Sequence, residues 1–564
     1  MNGLIFINHF MYECINGKVE ANLKEPNMTT LTTTASLVLL MAWLALPVAL
    51  LALAGFANWT KNSLKLAHCW RLAETGFRLL LLATAVIGAT LLFDRLVFDT
   101  GLPELGIRLG LYPDGLAVWM ALMVSFIAWV ILRYTRDYLR GDPAYNAFLP
   151  WFLTTVVSVL VLVFTDHLLV LAGAWVGVSL SLHQLLTLYA ERPQARLAAA
   201  QKFIASRLGD TAILAAVLLI WNHYGSFRIP EIYALGDQLG RESQSLTIAS
   251  ILLAVAAALK CAQLPFHGWL IRVMEAPTPV SALLHAGVVN LGGFLWLRLF
   301  PVFEGFTAGH MALLIVGGGT AIVAVFTMMT QNSAKHGLVW STNAQMGFML
   351  FEIALGAYTL ALLHLLAHSL YKAHSFLAVG RTVKVSRIAF SEHISKAQVV
   401  LALVASGLAA GLLWQAPQLV AHKPVLAALL VFAVGAAVLG TPGASQKGAR
   451  VTVLLLAVAL VPLYGVLNWL LSTALPQTAH VALPVTAEWF AWLVLAVLFV
   501  LSLLLFTRPQ GMLAQKLHWH FSQGLYLDKP FESLTRSWAQ SWLNAHSKPA
   551  DIRLRHRVLT GEKS

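Results

Sequence analysis

Charge is what this sequence has least of. Lys, Arg, Asp and Glu make up 11% of its 564 residues, where a soluble protein carries about 25%. Hydrophobic residues make up 58%, and mean hydropathy is +0.73. That balance excludes an ordinary water-soluble domain and points to a chain solvated mainly by lipid. Cysteine is scarce as well. Cys14, Cys69 and Cys261 lack metal-site spacing, which excludes a disulfide framework and a thiolate zinc or iron–sulfur centre. Residues 1–35 are polar, and their GLIFI run is too short for the core of a signal peptide. Met28 is a candidate start.

What is abundant is apolar length. About fifteen stretches are long enough to span a bilayer. They lie near 36–57, 79–93, 115–132, 148–165, 168–189, 203–221, 247–271, 278–297, 311–330, 337–356, 358–379, 397–415, 425–440, 451–472 and 486–506. The net charge of +13 would suit nucleic acid, but its placement gives another reason. When the connections are numbered alternately, one side holds several times the Lys and Arg of the other, as the positive-inside rule requires. The expectation is an all-α polytopic membrane protein with about fifteen transmembrane helices, N-terminus out and C-terminus in. The polar tail after Arg508, with Trp519, Trp538 and Trp542, would lie along or beneath the cytoplasmic face.

Few charges remain at membrane depth: Lys260, Lys372, Glu352 and Asp210, with His183, His285, His364, His368 and His374. An ionisable group at the bilayer centre costs roughly 2.5–3.5 kcal/mol and usually marks an ion or proton path. His364, His368 and Lys372 follow i, i+4, i+8 spacing, so they share one helix face, and His374 falls away from it. Packed histidines bonded to carbonyls are the bland alternative, and three titratable groups in register favour the path. Lys260 precedes Pro265, which should break its helix. Broken helices at this depth line cavities or binding sites. Gln263 and His267 flank the break, and the next span carries His285. Asp210 is within reach of Arg207 at i, i+3, so a local ion pair is its simpler role. Glu352 has no cation nearby in sequence.

The phrases AAAQKFIASRLGD (198–210), LKCAQLPFHGWL (259–270), APTPVSALLHA (276–286), WSTNAQMGFM (340–349) and HLLAHSLYKAHSFL (364–377) resemble the antiporter-like subunits of respiratory complex I and the Mrp cation/proton antiporters. The resemblance covers roughly 112–380, with an echo at GLYLDKPF (524–531). It implies two inverted repeats of five helices, each with one discontinuous helix. It also implies a proton or cation relay of Lys260, His285, His364, His368 and Lys372, with Glu352, His183, His267, Asp210 and Lys202 as accessories. The chain would then divide into a polar extension (1–35), N-terminal helices (36–111), a first repeat region (112–300), a second (301–440), C-terminal helices (441–506) and a basic cytoplasmic tail (507–564).

Two departures stand out. Where the family carries a glutamate after the tryptophan of a GWEG-like phrase, GAWVGVSL has Val176, and His183 is a candidate substitute. SGLAAGLLWQAPQL (406–419) lacks the lysine usual in the second broken helix. With these departures the chain looks like DabB, the membrane subunit of a two-component inorganic carbon pump of the bacterial inner membrane. That resemblance implies uptake of CO2 or bicarbonate, driven by H+ or Na+, with a DabA-like cytoplasmic zinc partner similar to β-carbonic anhydrases. Any hydration chemistry would be the partner's, so this chain is expected to be a transport subunit without cofactor or metal of its own. A redox-driven complex I-like pump, an Mrp-type assembly and a scaffold with a vestigial relay remain open alternatives.

Overall fold

Backbone surrounded by lipid has to satisfy its own N–H and C=O groups, and apolar runs of this length do so as helices. The structure, a computed structural model, describes residues 36–60, 62–92, 110–189, 191–382, 396–420, 423–440, 450–476, 482–507 and 510–545. The first half of the chain forms α1 (Ser36–Trp59), α2 (Ser63–Leu92), α3 (Gly115–Tyr138), α4 (Tyr145–Phe164), α5 (Leu168–Leu186), α6 (Pro193–Tyr224), α7 (Ile229–Leu239), α8 (Gln244–Lys260), α9 (Gly268–Arg272), α10 (Thr278–Ala286) and α11 (Leu291–Leu299). The second half forms α12 (Ala308–Met329), α13 (Ala334–Ala354), α14 (Tyr358–Thr382), α15 (Lys396–Gln415), α16 (Pro424–Leu439), α17 (Arg450–Ser472), α18 (Val485–Thr507), α19 (Met512–Ser522) and α20 (Lys529–Ala545). Helix occupies every stretch expected to span. Among the described residues, eleven helices are long and apolar enough to cross a membrane, and α8 and α16 are shorter apolar helices. The expected extension 1–35 and the tail end 546–564 lie outside the described residues.

Three boundaries differ from the sequence reading. α2 begins at Ser63 instead of 79, and α6 at Pro193 instead of 203. Proline is at home in the first turn of α6, where its missing N–H leaves no bond unmade. Its cations Arg196, Lys202 and Arg207 therefore lie on a helix and not in a connection. The third difference is a second interruption. The stretch carrying His285 runs as α10, a short 3-10 turn (Val288–Asn290) and α11, in addition to the break after Lys260.

Burial orders the bundle. In an apolar 18-residue window of the segment Thr278–Val302, 94% of the residues are buried, and this segment forms the axis; the same share is 11% for α17 and 22% for α18, which form an outer flank. Gly292 lets the axis approach α8: a Cβ there would sit 2.5 Å from the Cys261 sulfur and 2.8 Å from the Ala257 carbonyl oxygen. Gly317 on α12 and Gly347 on α13 face each other just as closely, each Cβ position falling 2.7–2.8 Å from the other's carbonyl oxygen.

Near one end of the axis, Arg298 is 1% exposed and donates to both Asp114 oxygens, at 2.6 and 3.0 Å. At the other end, α19 and α20 fold back onto α12, α6 and α9. Phe521 meets Phe326 at 5.3 Å and Phe531 meets Phe266 at 5.1 Å between ring centroids, while Glu532 pairs with Arg272.

Candidate functional site: two buried titratable clusters

Lys260 is the last residue of α8, at the point where the helix cannot continue. Ala262 is left-handed (φ 51°) and Pro265 brings no N–H. The Gln263 amide closes onto Ala258 O at 2.8 Å, and the Leu264 amide donates to Thr320 Oγ1 of α12 at 3.1 Å. Neighbouring helices thus satisfy the broken backbone, and the chain resumes as α9. This leaves the Lys260 side chain 8% exposed and directed at α5.

Trp175, Ser179 and His183 follow i, i+4, i+8 spacing and form one face of α5. Lys260 Nζ donates to Ser179 Oγ at 3.1 Å and lies 4.2 Å from the centre of the Trp175 ring. From α6, Lys202 is 3% exposed and donates to the Ser179 carbonyl oxygen at 2.9 Å. His183 packs on Phe203 of α6 with ring centroids 5.1 Å apart. Asp210, two turns from Lys202, is 4% exposed and pairs with Arg207 at 2.6 Å, as the i, i+3 spacing suggested. Trp175, Ser179, Lys202, Gly209, Lys260 and Trp269 line a small cavity of about 10 Å3, room for about one water. Val176 sits beside this cluster, half-buried.

The second cluster joins α10, α13 and α14. His364 Nδ1 lies 3.0 and 3.1 Å from the two Glu352 oxygens, and its Nε2 lies 2.7 Å from Gln345 Oε1. Both ring nitrogens thus face oxygen acceptors, an arrangement that suits the doubly protonated ring. Turning the Gln345 amide over would suit the neutral one. The His368 ring is 6.4 Å from that of His364. Lys372, fully buried, donates to Leu338 O at 2.8 Å. His285 Nδ1 lies 3.2 Å from Thr342 Oγ1, and the ring stacks on Phe376 at 4.4 Å. His374 is exposed, off the stripe.

The residues named from sequence therefore fall into two groups. Lys260, Lys202, His183 and Asp210 gather on α5, α6 and α8. His285, His364, His368, Lys372 and Glu352 gather on α10, α13 and α14. Lys260 and His285 do not bond each other. The 3-10 turn of the axis stands between them: Val288 lines the Lys260 cavity, and Asn290 Nδ2 donates to Ser369 Oγ of α14 at 2.6 Å. His267 joins neither group. It is 1% exposed, its ring is 5.1 Å from that of Trp340, and neither nitrogen has a partner among the described residues.

Several participants carried no sequence signal that was used. Ser179 looked like any serine of an apolar helix. Thr342, Gln345 and Glu352 share a face of α13 at helical spacing, and that pattern could have tied Glu352 to the stripe. Lys423 read as a loop cation. From just beyond the lysine-free stretch 406–419, it donates to Leu355 O, three residues after Glu352.

Comparison with known proteins fits this architecture. Residues 165–476, more than half the chain, match the family "NADH:quinone oxidoreductase/Mrp antiporter, TM", and 101–149 match "NADH-Ubiquinone oxidoreductase (complex I), chain 5 N-terminus". A probable inorganic carbon transporter subunit DabB of Hydrogenovibrio crunogenus is 47% identical over 47% of this chain and 51% of its own, about half of that relative's length. The probable subunit DabB2 of Halothiobacillus neapolitanus is 34% identical over 79% of this chain and 84% of its own. A structure of the Mrp complex from Dietzia has the same fold over 92% of this chain and 59% of its own, with TM-score 0.53 at 21% identity. The chain is a multi-pass membrane protein that belongs to the NADH:quinone oxidoreductase/Mrp antiporter membrane family and, within it, to the DabB subunits.

Proposed function

We propose that this chain is the membrane subunit of an energy-coupled inorganic carbon transporter of the bacterial inner membrane. It conducts protons, or Na+, down their gradient and thereby drives a DabA-like, carbonic-anhydrase-like zinc partner on the cytoplasmic side. The observation that carries the reading is the relation to DabB2 across most of both chains. Two buried clusters support the conducting part of the reading, because ionisable groups buried in a bundle this apolar are costly and commonly mark ion or proton paths. Lys260 with Lys202, His183 and Asp210 forms one half of the path. His285, His368, Lys372 and the Glu352–His364 pair form the other; the first half belongs to the repeat at 112–300 and the second to that at 301–440, apart from His285, which the first repeat contributes. His267, under the docked tail, is placed to report partner binding to the break. Hydration of CO2 belongs to the partner.

The test is growth in air of a host that otherwise requires added CO2, expressing this chain with its partner. Lys260→Ala and Lys372→Ala should each abolish rescue while the two proteins still co-purify, and an uncoupler should abolish the wild-type effect. Full rescue by both variants would overturn the conducting role, and rescue that survives the uncoupler would favour a passive scaffold. Co-purification with a row of iron–sulfur subunits in place of a single zinc protein would favour a redox-driven pump.

A further inference from the structure

We propose that Ser179 is the proton-passing bridge between Lys202 and Lys260, so that the path on the tail side of the broken helix runs Lys202, Ser179, Lys260. This deepens the ion-conducting role proposed above and rests on it.

Two ammonium-bearing side chains, from two different helices, end on one serine. Lys260 reaches its hydroxyl at 3.1 Å and Lys202 its carbonyl at 2.9 Å, and both lysines are under a tenth exposed. Like charges held together away from water disfavour each other, and such a pair gives up its protons in coupled steps. The carboxylate on hand does not neutralise both, because Asp210 is already held by Arg207 at 2.6 Å. The other groups facing the pair are His183 and Trp175 from α5 and Cys261 at the end of α8. One lysine charged and one neutral is the arrangement this site accommodates, and the Ser179 hydroxyl, bonded to Lys260 and borne by the residue whose carbonyl holds Lys202, lets the two exchange roles once Lys202 turns from the carbonyl to the hydroxyl.

The step balances without a co-reactant. With Lys202 turned from the carbonyl onto the hydroxyl, Lys260 –NH3+ gives a proton to Ser179 Oγ as the Ser179 hydroxyl gives its own to the neutral Lys202 –NH2. The products are Lys260 –NH2, an intact serine and Lys202 –NH3+. A hydroxyl suits this because it donates and accepts at once. The one-water cavity lined by all three residues leaves room for the side chains to reorient. The docked tail rests on the same helix as Lys202, since Gln201 donates to Thr535 Oγ1 of α20 at 3.4 Å.

The experiment uses the full chain with its partner in liposomes containing a pH-sensitive dye, with proton entry driven by a potassium diffusion potential. Ser179→Ala should slow proton flux by about a hundredfold or more, in the range typical of a lost proton-transfer group, and Ser179→Thr should restore it. The solvent isotope effect on flux should change in Ser179→Ala. Adding Lys202→Gln to Ser179→Ala should cost little more, because both interrupt one path. Wild-type flux in Ser179→Ala, or losses that multiply in the double variant, would overturn the bridge. So would wild-type conduction of Na+ with no proton entry. Should Ser179→Ala fail to assemble, Ser179→Val, the hydroxyl-free counterpart of Ser179→Thr, removes the transferable proton as well, and wild-type flux there overturns the bridge equally. Lys260→Ala is the reference. If it too conducts normally, the conducting role itself fails, whereas normal flux in Ser179→Ala alone removes only the bridge.

Discussion

Arg298 shows what a charge needs in order to sit almost wholly inside this bundle. Its guanidinium holds Asp114 through two bonds, donates to Val163 O at 3.3 Å and lies against the Tyr112 and Phe294 rings at 5.1 and 5.7 Å. Asp114 in turn caps α3, accepting from the Ala117 amide at 2.9 Å. Arg298→Met should therefore destabilise the protein by about 3 kcal/mol, toward the lower end for a broken buried pair because the Asp114 side chain keeps 20% exposure. Thermal unfolding in detergent would show it, and Asp114→Asn in the same chain should recover part of the loss by removing the stranded charge. Lys260, His285 and the His364–His368–Lys372 stripe were legible because an ionisable side chain in an apolar run has few reasons to be there. Ser179 was not. Ser181, two residues on, bonds the Gly177 carbonyl of its own helix at 2.8 Å, which is what hydroxyls in helices commonly do. Nothing in the sequence separates the serine between two lysines from the one that bonds its own backbone.

At the scale of elements, the second cluster depends on how closely α12 and α13 approach. Small residues let membrane helices pack backbone to backbone, and the Gly317–Gly347 contact leaves no room for a side chain. Gly347→Leu should push α13 away, costing about 1–3 kcal/mol by overpacking. It should also disturb Gln345 and Glu352 at their contacts with His364. The expected outcome is lost carbon-dependent growth with reduced thermal stability, whereas Gly319→Ala, where a Cβ meets nothing within 4 Å, should leave both unchanged. The break after Lys260 was readable from Pro265. The interruption after His285 was not, since Gly287 there resembles many glycines of membrane helices. Its cause is packing: the axis is buried on all sides, and its backbone follows the space its neighbours leave.

For the whole molecule, the tail is the element that changes most between sequence and structure. From composition it is a basic, amphipathic end. In the fold, α20 sits on α6 and α9, and its Glu532 engages Arg272 two residues before the axis connection begins. A Cβ at Gly524 would lie 3.1 Å from Trp340 and 3.9 Å from His267. Exchanging the charges tests this docking. Arg272→Glu and Glu532→Arg alone should each raise hydrogen exchange at residues 261–272 and weaken partner co-purification, and the double exchange should restore both. The sequence by itself determined the class, the positions of the apolar helices and the ionisable residues among them, because those follow from the transfer cost of side chains and need no knowledge of neighbours. Only the tertiary structure decided who meets whom: that Lys202 belongs with Lys260, that Glu352 answers His364, and that the two clusters stand on opposite sides of a broken axis. The contacts behind those pairings join residues up to 81 positions apart, as Ser179 and Lys260 are, and contact at such separation is set by helix packing, which no local pattern encodes.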